Sequence, residues 1–419
     1  MLLRLACLTA LLLIAQSCHV GRFFVWNFAD VNDYKKFPAR EIEAAGEPFE
    51  FARAHDSIQQ KLDTARITVD GTPYTLAGYV GDYGKSLSFL IIRRDTVLFE
   101  RYFDGYEAGS PPVPSFSVAK SFVSALVGFA VQEGAIKSVQ EPVTNYFPEL
   151  AARDPRFREL TIEHLLDMRS GLQYNETSYA NPFAPVARDY YGRHLERYTL
   201  EKSKFAAEPD AYREYQSVNT QFLALIVEKA TGKPVPEYLE EKIWQPLGME
   251  FPASWSYDSK AGGTTKAFCC LNAQARDFAK FGRLYMQGGR WQGRQLIDSA
   301  WVARSVQPNY ANDCYQYQWY SMGRWQTEPD SLSAAQQSPT GEAYRTKKGE
   351  YAYEVCGPDF MAIGILGQYI YVHPEKNLIM VRQGKDDDVA YQSLFRALAE
   401  LGHIRALVVH GAPGMDEIS

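Results

Sequence analysis

The chain has 419 residues, of which 46% are hydrophobic, 14% aromatic and 22% charged. That exceeds one compact domain, so about two lobes around a large core are expected rather than a disordered chain. A formal charge of −6 argues against a nucleic-acid partner, which needs a basic face, and the sequence carries no repeat, low-complexity tract or long charge block.

Residues 1–18, MLLRLACLTALLLIAQSC, hold one arginine, an apolar stretch too short for a comfortable membrane span, and then small residues. This pattern reads as an export signal. Ala15-Gln16-Ser17 before Cys18 resembles a bacterial lipobox, in which the cysteine is lipidated, although leucine is usual where Ala15 stands. Lipidation at Cys18 would make the protein an exported, periplasmic, membrane-anchored lipoprotein. A plainly cleaved signal and an uncleaved anchor are the alternatives. Residues 19–80 form an extension with no legible pattern.

Downstream, Leu87 to Phe103 alternates as a hairpin turning near Asp95-Thr96. The loop EAGSPPVPS leads to an apolar helix after Ser117. From about Val139 to Met249 the chain is mainly helical, and both TIEHLLDMRSG and NTQFLALIVEKATGK are expected to run out at a glycine. NAQARDFAKFGRLYMQGG is an amphipathic helix with Ala275, Phe278, Ala279 and Leu284 inward. A late hairpin turns around Pro374-Glu375, YQSLFRALAELGHI closes the fold, and an acidic tail follows.

Strands at both ends with helices between predict an α/β protein of the α+β kind. One antiparallel sheet is built from both ends of the chain and flanked by helices, with a mainly helical lobe inserted. The expected limits are 81–135 and 260–405 for the sheet lobe, 136–259 for the helical lobe and 406–419 for the tail. Cys269, Cys270, Cys314 and Cys356 lack metal-ligand spacing, so no metal is expected. Cys314 with Cys356 is the expected disulfide, because adjacent cysteines rarely bridge without strain; buried free thiols are the alternative.

Chemistry enters at SFSVAKS. Ser117 and Lys120 are three residues apart on one helix face, so the amine reaches the hydroxyl. Burial and the positive end of the helix dipole both disfavour an ammonium there. A readily deprotonated lysine beside a serine is a general base for nucleophilic catalysis. A lysine snorkelling from a helix end is the plain alternative.

SFSVAKS resembles the first motif of the serine β-lactamase and penicillin-binding-protein superfamily. Tyr215-Gln216-Ser217 matches the Y-x-N/S motif of class C β-lactamases and their esterase and amidase relatives, and LTIEHLLDMRSGL and ATGK…IWQPLGM resemble flanking segments of the same group. Where that group carries K-T-G or H-x-G, this chain has Ala362-Ile363-Gly364. The missing basic residue and GILGQ followed by YVHPEKNLIMV look instead like the 6-aminohexanoate-dimer hydrolase and carboxylesterase branch. The resemblance covers roughly Ser86 to Leu401. Lys347-Lys348-Gly349 lies in a polar loop and is not the missing motif.

The resemblance implies a β-lactamase/transpeptidase-like fold and a serine hydrolase that cleaves small amides or esters without a cofactor. Ser117 would form an acyl-enzyme, with Lys120 and Tyr215 moving its proton. The oxyanion would lie between the backbone N–H groups of Ser117 and Ile365, just past Gly364. Ser217 would orient Lys120 or the substrate; Asn272 would face the cleft or cap a helix. The alternatives are a β-lactamase or D-Ala-D-Ala carboxypeptidase, and a non-catalytic ligand-binding lipoprotein of the same fold.

Overall fold

The computed structural model describes residues 19–400 except 27, 70, 178–179, 262, 310–313, 340 and 387–390, together with the strand Leu407–Val409. The export segment with Cys18 and the last ten residues lie outside the described residues.

In chain order, helix α1 (His19–Trp26) is followed by strands β1 (Ala39–Ile42) and β2 (Ala52–Arg53). The hairpin β3 (Ser86–Arg93) and β4 (Thr96–Tyr102) leads to β5 (Val113–Pro114) and helix α2 (Ala119–Gln132). Helices α3 (Ile162–Leu166), α4 (Pro185–Tyr191), α5 (Leu195–Lys202) and α6 (Ser217–Thr231) fill the middle. Then come β6 (Ala253–Ser256), β7 (Leu271–Ala273), helix α7 (Ala275–Met286), β8 (Tyr315–Gln316), β9 (Trp319–Glu328) and β10 (Tyr344–Arg345). Strands β11 (Tyr351–Gly364), β12 (Gln368–His373) and β13 (Leu378–Gly384) and helix α8 (Tyr391–Glu400) follow, with further short helices and strands between these elements.

The chain divides into two compact units. The first holds residues up to Glu43, Pro112–Trp244 and Pro252–Asn272; the second holds Ala44–Pro111, Gln245–Phe251 and Ala273 onward. This differs from the expected limits at 136 and 259. Helix α2 groups with the helical segments, because its apolar surface is buried against α6 and its neighbours rather than set aside with the hairpin before it.

The second unit carries the sheet drawn from both chain ends, antiparallel except for the short edge strand β2, which runs parallel to β4. Its order is β8–β9–β11–β12–β13–β3–β4–β2, with β10 on β11. β3 is central, and its first seven residues are all buried, as a near-continuous apolar strand covered on both faces should be. Ile370 and Val372 of β12 meet α7, where an added Cβ on Gly282 would lie 2.9 Å from an Ile370 methyl. Tyr371, one residue out of phase, stacks at 5.3 Å on Phe395 of α8. The period of two thus divides β12 between two helices on opposite faces of the sheet. The β3–β4 turn falls on Arg94-Asp95, one residue before the expected place, with φ of 50° and 58°. Two left-handed residues are what a two-residue hairpin requires.

In the first unit, β1–β6–β7–β5 form a four-stranded sheet beside the helices. The 19–80 extension contributes β1 to it through pairing of Ala39–Ile42 with Ser256–Ala253. Helix α6 ends on Gly232, left-handed at φ 70°, as expected. Helix α3 does not run to Gly171. It stops after Leu166, and the left-handed Met168 (φ 58°) turns the chain so that its carbonyl accepts from the Glu214 N–H. The four Ala275–Leu284 positions expected inward on α7 are buried.

Cys314 and Cys356 are bridged, closing a separation of 42 residues. Cys269 and Cys270 are bridged as well, against expectation. Left-handed backbone at Cys270 (φ 68°) accompanies the vicinal bridge, a conformation that sequence spacing does not anticipate.

Candidate active site

Helix α2 is buried all round from Ala119 to Ala130. Just before it, Phe116–Val118 form a single 3₁₀ turn that holds Ser117 at the helix start. Phe116 sits at φ 43°, a costly conformation for a bulky residue and one that clusters at functional sites. Val118 N–H returns to Ser115 carbonyl, and Ser115 N–H donates to Leu271 of β7 at 2.8 Å, so the turn is fixed from both sides.

Lys120 is 1% exposed, and its Nζ donates to Ser117 Oγ and to the Phe268 carbonyl, each at 2.9 Å. The same nitrogen lies 5.0 Å from the ring centroid of Tyr215. Burial pulls the lysine down to about 8, opposed by the negative charge of Glu176. Near neutral pH an appreciable fraction of such lysines can accept a proton, unlike an ordinary lysine. The Phe268 carbonyl is placed by α6: Gln221 donates to Thr265 carbonyl at 3.0 Å and accepts from Ala267 N–H at 3.2 Å.

Tyr215 precedes α6 on a short segment tied to the loop after α3. Gln216 donates to Leu172 carbonyl at 2.7 Å and accepts from Ser170 Oγ at 3.2 Å. The LTIEHLLDMRSGL stretch therefore acts as the mould for the Tyr215 segment. Its His164 closes a capping box with Thr161, a structural role.

Ser217 binds an acid that no sequence motif marks. Its hydroxyl donates to Glu176 at 2.6 Å and its N–H donates to the other Glu176 oxygen at 2.8 Å. Gln216 at the N-cap offers no side-chain cap, so Glu176 supplies the acceptor and the negative charge that the start of α6 lacks. Glu176 is the residue that sequence reasoning missed. It stands 41 positions from Ser217 in an ordinary polar loop, and no local pattern marks it.

Asn272 does not cap α7. It lies in β7, fully buried, and donates to Ser254 and Ser256 Oγ of β6 at 3.1 and 3.2 Å. Strand pairing claims the residue first, and helix α7 starts three positions later. In the second unit, Gly364 ends β11 and Ile365 enters the turn to β12. Gln368 holds this turn through the Leu366 and Gly384 carbonyls at 3.1 and 2.7 Å. Gly367 takes φ 74°, and a Cβ there would strike the Arg382 guanidinium, which accounts for the second glycine of GILGQ. Lys347 and Lys348 lie exposed in the turn between β10 and β11.

If Lys120 must be neutral to act, activity rises with pH through its pKa. Glu176 raises that pKa, so Glu176→Gln should move the acid limb of kcat/KM to lower pH while keeping a polar partner for Ser217. A limb unmoved, or moved upward, across a pH 5–10 profile would show that Glu176 has no electrostatic hold on Lys120.

Ser117, Lys120 and Tyr215 with their supports sit on a chain that belongs to the β-lactamase family, which matches residues 76–400. This is a family of serine hydrolases. Over 230 residues the chain is 30% identical to a 6-aminohexanoate-dimer hydrolase of Paenarthrobacter ureafaciens, 51% of this chain and 55% of that protein. It is 22% identical over 233 residues to a putative penicillin-binding protein, PbpX, of Bacillus subtilis, 54% of this chain and 55% of the relative. The chain thus matches about half the length of these two relatives. The solved structure of a putative 6-aminohexanoate-dimer hydrolase from Bacillus anthracis shares the fold, with a TM-score of 0.70, 21% identity, and coverage of 90% of this chain and 94% of that one.

Proposed function

We propose that the protein hydrolyses small amides or esters through an acyl-enzyme on Ser117. The observation that carries this reading is the 2.9 Å contact from a buried, low-pKa Lys120 to the Ser117 hydroxyl. Ser117 Oγ attacks the carbonyl carbon as Lys120 takes its proton. Negative charge on the carbonyl oxygen is met by the Ser117 N–H at the helix start. Tyr215, its ring beside the lysine, passes the proton to the departing nitrogen or oxygen. Water then repeats the sequence in reverse to release the acid and restore Ser117.

Treatment with a fluorophosphonate followed by peptide mapping tests this reading. The adduct is expected on Ser117 alone, and a modified residue elsewhere overturns it. The absence of a basic residue at Ala362-Ile363-Gly364 favours simple esters and linear amides over β-lactams, whose carboxylate that residue helps hold. Turnover of a chromogenic acyl ester with no turnover of nitrocefin is the expected pattern.

The same proposal places the protein outside the cytoplasm with a lipid on Cys18. Among the described residues no helix is long and apolar enough to cross a membrane. Labelled palmitate should enter the wild type and not Cys18→Ala; equal labelling of both would refute lipidation at this cysteine.

A further inference from the structure

Away from Ser117, the first unit holds a cavity of about 290 Å³ between α1, α4 and α5. Its lining includes Arg22, Arg188, Arg193, Arg197 and Lys202, and the only acid among the lining residues is Glu201. Two histidines, His19 and His194, complete the polar wall. This concentration of cations belongs to a chain whose formal charge is −6. The cations are close enough to act on one another: His19 is held below its usual value by burial and then by the charges of Arg188 and Arg22. Glu201 is already engaged by Arg197 at 2.9 Å on the same helix. Like charges gathered around one concavity repel, and an anion seated among them relieves the repulsion.

Beside this cavity the protein exposes apolar bulk. On α1 and just after it, Phe24 is 71% exposed, Phe28 54% and Val25 44%. Their neighbour Phe23 points inward and packs on Tyr191 of α4 at 5.4 Å, fixing which way the others face. The His19 ring also bonds the backbone of Pro182, next to Phe183, which is 69% exposed. A helix with buried Arg22 and Phe23 on one side and bare aromatics on the other, next to a basic cavity, has the chemistry of an interfacial anchor. Three acids, Asp30, Glu196 and Glu201, are exposed nearby, fewer than the five arginines and lysines of the lining, so a positive excess remains.

We propose that this face docks on a bilayer of anionic phospholipid, with lipid phosphate in the Arg22–Arg188–Arg197 cavity and Phe24, Val25 and Phe28 in the headgroup layer. The face is separate from the hydrolytic site, and the inference does not depend on that site's activity. Lipid attached at Cys18 would bring α1 to such a surface, but the docking face needs no covalent lipid.

The test uses the full chain carrying Cys18→Ala, followed by hydrogen exchange on vesicles of phosphatidylcholine alone and of phosphatidylcholine with phosphatidylglycerol. Protection of residues 19–26 and 185–202 is expected only on the anionic vesicles and should fade in high salt. The rim residues Arg193, Arg197 and Lys202 are exposed, so the triple change to glutamate should leave folding intact. It should weaken association with anionic vesicles at least tenfold, since each cation near a charged surface contributes about 1 kcal/mol. Phe24→Ser with Phe28→Ser should reduce association while leaving its salt dependence. Equal protection on both vesicle types overturns the proposal. So does protection by inorganic phosphate with no preference for anionic vesicles, which would reduce the cavity to an ion site.

Discussion

Replacing Lys120 by arginine is expected to lower kcat/KM by about a hundredfold or more, nearly as much as replacing it by alanine. Arginine preserves the positive charge but cannot release a proton in the accessible range. It is also larger, and Lys120 is enclosed between Phe268 and the Tyr215 ring. A Lys120→Met variant separates lost volume from lost proton transfer, because it fits the cavity and carries no base. If the lysine merely supplies charge, arginine retains activity and methionine loses it. If it is the base, both lose it. For the wild type, kcat/KM should rise with pH up to an apparent pKa near 8 and then level, since the neutral amine is the active form. Where lysine and tyrosine titrate together that value belongs to the pair. Near-wild-type turnover in Lys120→Arg would end the mechanism while leaving the fold untouched.

Ser117→Ala should remove ester turnover and covalent labelling together, with the melting temperature within a few degrees of wild type. The serine is only partly buried, and the bond it makes is to a lysine that keeps the Phe268 carbonyl as a second partner. Loss of one oxygen there leaves no cavity of consequence. A variant that unfolds would show the hydroxyl to be structural; one that still labels would shift the nucleophile to another residue.

Much of this could be read from the sequence because the relevant signals are local. Ser117 and Lys120 are one helical turn apart, and the strands β3, β4, β12 and β13 announce themselves by apolar runs and turn residues. What escaped depends on distant partners. The 19–80 region looked featureless because β1 is a strand only through pairing with β6, more than two hundred positions away. Asn272 sits close before a helix and satisfies a capping rule, yet the ladder with β6 takes it. Glu176 meets Ser217 across 41 positions, through the loop that carries it to the start of α6. Left-handed backbone at Cys270 is likewise invisible in residue spacing.

The pairing of β13 with β3 has a consequence for how the protein comes to exist. Arg93 meets Leu378, about 285 positions later, in the middle of the sheet. Helix α2, with Ser117 at its start, needs only neighbouring turns to form, whereas β3, paired with β4 across a two-residue turn, must wait for nearly the entire chain to fill its other edge. Closing so long a loop is slow, and sheets dominated by non-local pairings fold more slowly than helical assemblies. During that wait SLSFLII is an uncovered apolar strand with one free hydrogen-bonding edge, a template for unwanted pairing. A chain that ended before residue 378 would keep that edge open, since β13 is the strand that fills it.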